Sequence, residues 1–116
     1  MNKRAIGKAG EDAAFNYLTD QGYRIIFRNF RFSRYGEIDL IAEKSGTICF
    51  IEVKARAGTG FGTPAEAVSY EKRKNIVAVA NHFLRTGDYS DFKLRIDVIE
   101  VYFKKTNAQV RLQGRM

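Results

Sequence analysis

The stretch GEIDLIAEKSGTICFIEVK, residues 36–54, has the pattern of two β-strands joined by a short turn. Runs rich in Ile, Phe and Val flank residues 43–46 (EKSG), a composition that is typical of a turn between antiparallel strands. We therefore predict strands over 37–42 and 47–55. Buried strands leave little room for polar side chains, so charged residues within them are candidates for a functional site. These residues are Asp39, Glu52 and Lys54.

Side chains alternate between the two faces of a strand, which assigns the residues of the strand 47–55 to faces. Phe50, Glu52 and Lys54 share one face, whereas Ile51 and Val53 lie on the other. Both faces are mainly apolar, which favours a central strand that is covered on both sides. Glu52 and Lys54 then lie side by side near the end of this strand.

The same alternation applies to the strand 37–42. It places Ile38 and Leu40 on one face, and Glu37, Asp39 and Ile41 on the other. Because the short turn makes the two strands antiparallel neighbours, we expect Asp39 to approach Glu52 across the strand pair.

The rest of the chain predicts an α/β domain that spans residues 1–116, with a central mixed sheet flanked by helices. Helical spacing of apolar residues runs over 3–21 and is ended by Gly22. A second helix begins at residues 63–66, where Thr63 could cap, Pro64 suits the first position and Glu66 completes a capping box. The predicted order is α-β-β-β-α-β-β: helix 3–21, strands 23–32, 37–42 and 47–55, a helix up to Gly87 with a break near Ser69-Tyr70, and strands 94–103 and 108–112.

Composition excludes several classes of protein. The apolar runs are too short for a membrane-spanning helix, and the amino-terminal residues MNKRAIGK lack the apolar segment of a secretory signal. The single cysteine, Cys49, excludes an internal disulfide and a zinc site of several cysteines. We expect a cytoplasmic protein with no membrane partner.

The charge balance favours a polyanionic partner. Twenty Lys and Arg residues face thirteen Asp and Glu residues, which gives a net charge of +7, and such a surplus is typical of proteins that bind nucleic acid. Arg28, Arg31 and Arg34 alternate with aromatic residues and could follow a phosphate backbone. The cluster 72–74 (KRK) could flank the site. Solvated strand and helix faces are the alternative for both segments.

Two neighbouring carboxylates repel each other, and a divalent cation relieves this repulsion. Oxygen ligands without nearby His or Cys favour Mg²⁺ or Mn²⁺, which can activate water for the hydrolysis of a phosphodiester. Lys54 could orient this water or stabilise charge on the phosphate. The alternative is a solvated Glu-x-Lys ion pair on an exposed strand face, which would contribute little.

The residues Asp39, Glu52, Val53 and Lys54 resemble the PD-(D/E)xK signature of restriction-endonuclease-like nucleases, with Ile38 in place of the proline. The chain as a whole resembles the YraN family of uncharacterised bacterial proteins, which is related to archaeal Holliday-junction resolvases. The matching stretches are residues 7–11 (GKAGE), 36–42 (GEIDLIA), 50–56 (FIEVKAR), 62–68 (GTPAEAV) and 95–98 (RIDV).

The resemblance implies a restriction-endonuclease-like fold and a metal-dependent nuclease that acts on DNA, including branched or nicked DNA. It adds Glu11 of the first helix to the acidic site. Gly7 and Gly10 weaken this helix, and a close approach of the helix to the sheet would explain both glycines and bring Glu11 toward Asp39. The implied metal ligands are Glu11, Asp39 and Glu52, with Lys54 as a further catalytic residue. Residues predicted to contact nucleic acid are Arg28, Arg31, Arg34, Arg56, Lys72 and Lys74.

Two other functions stay open at this point. The chain could be a non-catalytic nucleic-acid-binding module that accompanies another enzyme, or a structural partner protein that binds no DNA. Cutting a junction would require two active sites and hence a homodimer. Other polar residues carry weaker signals: Glu37, Asp97 (which could pair with an arginine), Glu66 (which capping explains), His82 (structural or solvent-facing) and Cys49 (core).

Overall fold

A computed structural model describes residues 2–57, 69–103 and 108–115 of the chain. Two α-helices, five β-strands and one short 3₁₀ helix are formed by these residues. In chain order they are α1 (Lys3–Asp20), β1 (Arg24–Arg31), the 3₁₀ helix (Ser33–Tyr35), β2 (Glu37–Lys44), β3 (Thr47–Ala57), α2 (Tyr70–Leu84), β4 (Lys93–Phe103) and β5 (Ala108–Arg115).

The strands form one mixed sheet in the order β1-β2-β3-β4-β5. Only β3 and β4 pair in parallel, whereas the other neighbouring strands are antiparallel. A parallel pair needs a long crossover, and α2 lies in the segment that connects β3 to β4. The predicted α/β class is confirmed, as is the order α-β-β-β-α-β through Phe103. No helix among the described residues is long and apolar enough to cross a membrane.

The two helices cover opposite faces of the sheet. Cys49 and Ile51 of β3 pack on the α1 side, and Ile48 and Phe50 pack on the α2 side. This alternation confirms the predicted two-sided burial of the third strand. The buried α1-side core is Ala14, Leu18, Leu40, Ala42, Cys49, Ile51, Ile99 and Val101, and the α2-side core is Ile38, Ile41, Ile48, Phe50, Ile76, Val79, Ala80 and Phe83.

The prediction that Ile38 and Leu40 share one face is wrong. Leu40 packs in the α1-side core, whereas Ile38 packs in the α2-side core. The paired register of β2 with β3 extends from Lys44 only as far as Leu40, and strict alternation does not continue past that point. Beyond it, the two strands are linked by the side chain of Asp39, whose Oδ2 accepts a hydrogen bond from the Val53 N–H at 2.7 Å.

The second helix, as far as it is described, begins at the predicted break near Ser69-Tyr70. The described helix starts at Tyr70, and its N-cap is Ser69, whose side chain accepts a hydrogen bond from the Lys72 N–H at 3.1 Å. A serine hydroxyl at this position satisfies one of the free amide groups of the first turn, which explains the predicted break at Ser69-Tyr70. The expected capping box at residues 63–66 lies outside the described residues. The observed start places Lys72 in the first turn of α2.

Glycine at position 10 allows α1 to lie directly against the sheet. A Cβ atom at Gly10 would lie 2.5 Å from the Cβ of Ala55 on β3, a separation that real Cβ atoms do not adopt. At Gly7, one turn earlier, nothing lies within 4 Å of such an atom. The predicted close approach is therefore confirmed at Gly10, and it fixes the position of the adjacent Glu11 relative to the sheet.

Candidate active site

Three acidic side chains meet where α1 crosses the amino-terminal end of β2. One carboxylate oxygen from each of Glu11, Glu37 and Asp39 lies within 4.8 Å of the other two. We call this group the acidic triad. The predicted approach of Glu11 to Asp39 is confirmed, and Glu37, which carried only a weak signal in the sequence, joins them. This acidic triad could bind a metal ion.

Asp39 is the most buried member of the acidic triad, with 8% of its surface exposed. Burial is the main cause that raises its pKa to about 7, and the negative charge of Glu52 adds to the effect. The hydrogen bond from the Val53 N–H acts in the opposite direction. Near neutral pH this carboxyl group therefore exchanges between its neutral and charged forms, and a nearby cation would favour the charged form.

Asn29, which was not among the predicted site residues, holds the other two acids together. Its Nδ2 donates to Glu11 Oε1 at 2.9 Å and lies 3.4 Å from Glu37 Oε1. The backbone of Asn29 adopts a φ of 54°, a left-handed conformation that Asn tolerates better than most residues. An asparagine inside a strand of aromatic and basic residues was the available signal. Its amide bridges two carboxylates without adding a charge.

Glu52 lies near the acidic triad but has different partners. It is 6% exposed, and its Oε1 lies 2.7 Å from Lys72 Nζ and 3.5 Å from Lys54 Nζ. Asp39 and Glu52 lie on neighbouring strands and line the same cleft, and the charge of Glu52 affects Asp39 directly. The predicted ligand set was Glu11, Asp39 and Glu52, whereas the structure groups Glu37 with the first two and pairs Glu52 with two lysines.

The two lysines beside Glu52 respond to their surroundings in opposite ways. Burial lowers the pKa of Lys54, the positive charge of Lys72 lowers it further, and Glu52 opposes both effects. Burial also acts to lower the pKa of Lys72, but the hydrogen bond and charge of Glu52 outweigh this and raise it. Lys72, which was predicted to contact nucleic acid, is thus a close partner of a predicted catalytic acid.

An open cleft of about 460 Å³ lies between α2 and the end of the sheet that carries these residues. Asp39 and Glu52 line its floor, and Lys72 lines the side formed by α2. Arg31 and Tyr35 line the opposite side. The cleft thus combines buried carboxylates with basic and aromatic side chains, and a polyanionic chain could enter it from solvent.

The predicted nucleic-acid contacts have different surroundings. Arg28 is held against α1, because its Nη2 donates to Asp12 Oδ1 at 2.8 Å. Arg31 is exposed at the cleft, 3.6 Å from Glu37. Arg34 is exposed and lies over the ring of Tyr35, with 5.5 Å between its Cζ and the ring centroid. Lys74 is exposed on α2, and Arg56 on β3 is partly buried.

The weaker sequence candidates have structural partners. His82 stacks on Phe32, with ring centroids 3.9 Å apart, which agrees with a structural role. Asp97 accepts a hydrogen bond from Arg95 Nε at 2.9 Å, as expected. Cys49 is buried in the core, and burial raises the pKa of its thiol to about 11. Glu100 is also buried and accepts a hydrogen bond from the Tyr102 hydroxyl.

The fold and the site define an α/β protein with an acidic cluster that could bind a metal ion in an open cleft. The sequence model of the uncharacterised protein family UPF0102 matches residues 10–101. The chain belongs to this family.

Individual relatives cover most of the chain. The UPF0102 protein of Acetivibrio thermocellus is 44% identical over 112 residues, which are 97% of this chain and 86% of the relative. The UPF0102 protein of Alkaliphilus oremlandii is 50% identical over 104 residues, which cover 87% of this chain and 86% of the relative.

Among solved structures, SfsA of Pyrococcus furiosus in complex with Ca²⁺ is a distant match. It aligns with 99% of this chain at a TM-score of 0.36 and 16% identity, and the alignment spans 64% of the SfsA chain.

Proposed function

We propose that this protein is a metal-dependent nuclease of the restriction-endonuclease-like class that hydrolyses DNA phosphodiesters. The observation that carries the proposal is that Asp39 and Glu52 line one cleft and that the Lys54 ammonium lies 3.5 Å from Glu52. Two buried acids that influence each other, with a partly buried ammonium beside them, are typical of a catalytic site. The net charge of +7 supports a polyanionic substrate.

The donor set fits Mg²⁺ or Mn²⁺. The acidic triad offers only carboxylate oxygens, which are the ligands that these cations prefer. Burial and the neighbouring acids raise the pKa of Asp39, so the site has negative charges that a cation would relieve. A bound divalent cation would activate water and polarise a phosphoryl oxygen.

The protein's own groups would position the reactants. The Val53 N–H holds one oxygen of Asp39 and leaves the other oxygen available to the cation. Glu52 would complete the acidic site, since it lines the same cleft as Asp39 and its charge acts on Asp39. Lys54 would hold the attacking water or stabilise negative charge on the phosphate. Because Lys54 is a cation and not a ligand, metal binding should survive its substitution.

Binding to DNA should be mainly electrostatic and indifferent to base sequence. Arg31 and Arg34 are exposed at or next to the cleft and are available for phosphate contacts. Each neutralised phosphate releases counterions, so affinity for duplex or branched DNA should fall steeply as salt rises. Binding that ignores salt would contradict this part of the proposal.

The proposal is tested with Asp39→Asn, which keeps the side-chain size and removes the anion. Wild type should cut at least one of a set of duplex, nicked and branched DNAs in Mg²⁺ or Mn²⁺ but not in EDTA. Asp39→Asn should cut none of them, should lose measurable Mn²⁺ binding by calorimetry, and should still bind DNA. Asp20→Asn is the matched control, because it removes the same charge from an exposed position at the end of α1.

Metal binding should also depend on pH through Asp39. Because its pKa is raised to about 7, protons compete with the cation below neutral pH. Mn²⁺ affinity should therefore rise about fivefold between pH 6 and pH 7, about twofold more up to pH 8, and then level off. Calorimetry across this range measures the effect, and an affinity that does not change with pH would contradict the assignment of Asp39 as a ligand.

One observation favours a second candidate, a non-catalytic DNA-binding module. Glu52 already has two lysines beside it, and these cations neutralise it without a metal. If wild type binds DNA in a salt-dependent way but cuts no DNA in any metal, this second function is the correct one. If it binds no DNA at low salt, both candidates fail and a structural partner protein is favoured. Cutting a junction would in addition require a homodimer in solution.

A further inference from the structure

The ion pair between Lys72 and Glu52 joins α2 to the floor of the cleft. We propose that Lys72 exchanges Glu52 for a DNA phosphate, and that this exchange couples the binding of DNA to the binding of the divalent cation. Lys72 is then a positioning residue that controls when Glu52 becomes available. The inference rests on the proposed function, since it requires a cation and a phosphate in the same cleft.

Lys72 and the divalent cation compete for the carboxylate of Glu52. Lys72 Nζ lies 2.7 Å from Glu52 Oε1, which is the distance of a charge-assisted hydrogen bond. A divalent cation that used this carboxylate would lie within a few ångströms of the ammonium. Two such positive charges repel each other at this distance. The Lys72–Glu52 pair therefore opposes cation binding as long as it stays formed.

The side chain of Lys72 can move more easily than that of Lys54. The Lys72 side chain is 40% exposed, whereas the Lys54 side chain is 18% exposed on a central strand. Lys72 lies in the first turn of α2 and lines the open side of the cleft. Its flexible stem can swing toward solvent without disturbing the core, and the ammonium can follow a new anionic partner there.

A phosphodiester is a suitable new partner for the Lys72 ammonium. A phosphate bound in the cleft would meet Lys72 among the side chains that line it. Its negative charge would replace that of Glu52 as the partner of the ammonium. The phosphate thus replaces Glu52 as the partner of Lys72, and the Glu52 side chain becomes free to move toward Asp39 on the neighbouring strand.

The consequence is a thermodynamic coupling between the two ligands. If DNA removes Lys72 from Glu52, DNA should tighten cation binding, and the cation should tighten DNA binding by the same factor. Substitution by Lys72→Met removes the ammonium and leaves Glu52 with Lys54 alone. Cation binding should then be tight without DNA, and DNA should no longer change it.

The test measures Mn²⁺ binding by calorimetry with and without a duplex whose phosphorothioate linkages resist cleavage. For wild type, the duplex should lower the dissociation constant for Mn²⁺ at least about fivefold. For Lys72→Met, Mn²⁺ without duplex should bind at least about fivefold tighter than to wild type, and the duplex should change this less than about twofold. Arg73→Met is the matched control, because Arg73 is an exposed neighbour on α2 with no ion pair to the described residues.

The outcomes separate the inference from the proposed function. If Lys72→Met binds Mn²⁺ no more tightly than Arg73→Met, or keeps the dependence on duplex, the exchange by Lys72 is wrong even when wild type cuts DNA. If wild type binds no Mn²⁺ with or without duplex, the metal-dependent function fails and the exchange fails with it. A gain in Mn²⁺ affinity that is shared by both variants reflects overall charge, and it also overturns the exchange.

Discussion

Asp39 and Glu52 are buried to nearly the same extent on neighbouring strands, but they meet opposite charges. Asp39 faces two further acids and one backbone N–H donor. Glu52 faces two lysines, one on its own strand and one on α2. The burial of a carboxyl group is therefore compensated in two ways. Asp39 takes up a proton near neutral pH, and Glu52 forms ion pairs.

This difference indicates which acid responds to which ligand. A buried acid without a cation is destabilising when charged, and it gains most from an added metal ion. A buried acid with its own cations gains less, and removing its charge leaves those cations without a partner. Neutralising Asp39 and neutralising Glu52 should therefore change the free energy of unfolding in opposite directions.

The largest expected effect is that of Asp39→Asn at high pH. The pKa of Asp39 in the folded protein, about 7, is above its ordinary value of 3.8. Asp39 therefore contributes stability that is complete below about pH 4 and is lost as the pH rises through about pH 7. Asn resembles the neutral form at every pH. The variant should exceed wild type in unfolding free energy by on the order of 3 kcal/mol at about pH 8, and by little at about pH 4.

Urea unfolding in EDTA across this pH range measures the effect of Asp39→Asn. Added Mn²⁺ should reduce the gap at high pH, because it stabilises wild type through the charged carboxylate. If the difference in unfolding free energy between Asp39→Asn and wild type is the same at all pH values, Asp39 does not titrate near neutral pH.

The second effect concerns Gly10, the residue that fixes the position of Glu11. Gly10→Val places a Cβ and two methyl groups against Ala55, where a Cβ alone would lie 2.5 Å from another Cβ. We expect a loss of about 1–3 kcal/mol in the free energy of unfolding, together with weaker Mn²⁺ binding as Glu11 moves. Gly7→Ala is the control, since it meets nothing within 4 Å and should stabilise the helix by up to about 1 kcal/mol. Equal stability of the two variants would contradict the close contact.

The third effect is that of Glu52→Gln, whose sign is opposite to that of Asp39→Asn. It leaves the mostly buried Lys54 beside Lys72 with no anion between them. We expect a loss of about 1–2 kcal/mol at neutral pH, and the pKa of Lys54 should fall further. Chemical denaturation at low salt measures the loss, and the double variant Glu52→Gln/Lys54→Met should recover part of it. If Glu52→Gln stabilises the protein, the two acids do not affect stability in opposite directions.

The smallest effect is that of Lys8→Met on the surface of α1. Lys8 Nζ lies 3.6 Å from Asp12 Oδ2, and both side chains are largely exposed. Asp12 also has Arg28 as a closer partner. We expect a change of less than about 0.5 kcal/mol, which salt should remove. A larger loss would show that exposed ion pairs matter as much here as the pairs that hold Glu52.

The parts of the site that depend on one element at a time could be predicted from the sequence. Alternation along β3 assigned Glu52 and Lys54 to one face and its apolar neighbours to two cores. Gly7 and Gly10 indicated a close contact between helix and sheet, and the structure has that contact at Gly10. Both predictions rest on a repeating local geometry that holds as long as the element stays regular.

The parts that depend on several elements, or on an irregular backbone, could not be predicted. Regular alternation grouped Ile38 with Leu40, but the two side chains pack in different cores, at the point where the pairing of β2 with β3 stops. Asn29 adopts a left-handed conformation inside β1, which strand periodicity does not predict. The contact of Lys72 with Glu52 depends on where α2 begins and how it docks. These features arise from tertiary packing, which overrides patterns in single segments.

The hydrogen bond from the Val53 amide to Asp39 also makes this amide a spectroscopic reporter of the site. The amide proton and nitrogen resonances of Val53 should shift with the protonation of Asp39, with an inflection near pH 7. A cation that binds Asp39 would draw electron density from the carboxylate and shift the same resonances at constant pH. Because the reporter is a backbone atom of a central strand, it can be read in wild type without a label that disturbs the cleft. Val53 would thus let the ionisation of the site and its loading with metal be followed separately from any cleavage of DNA.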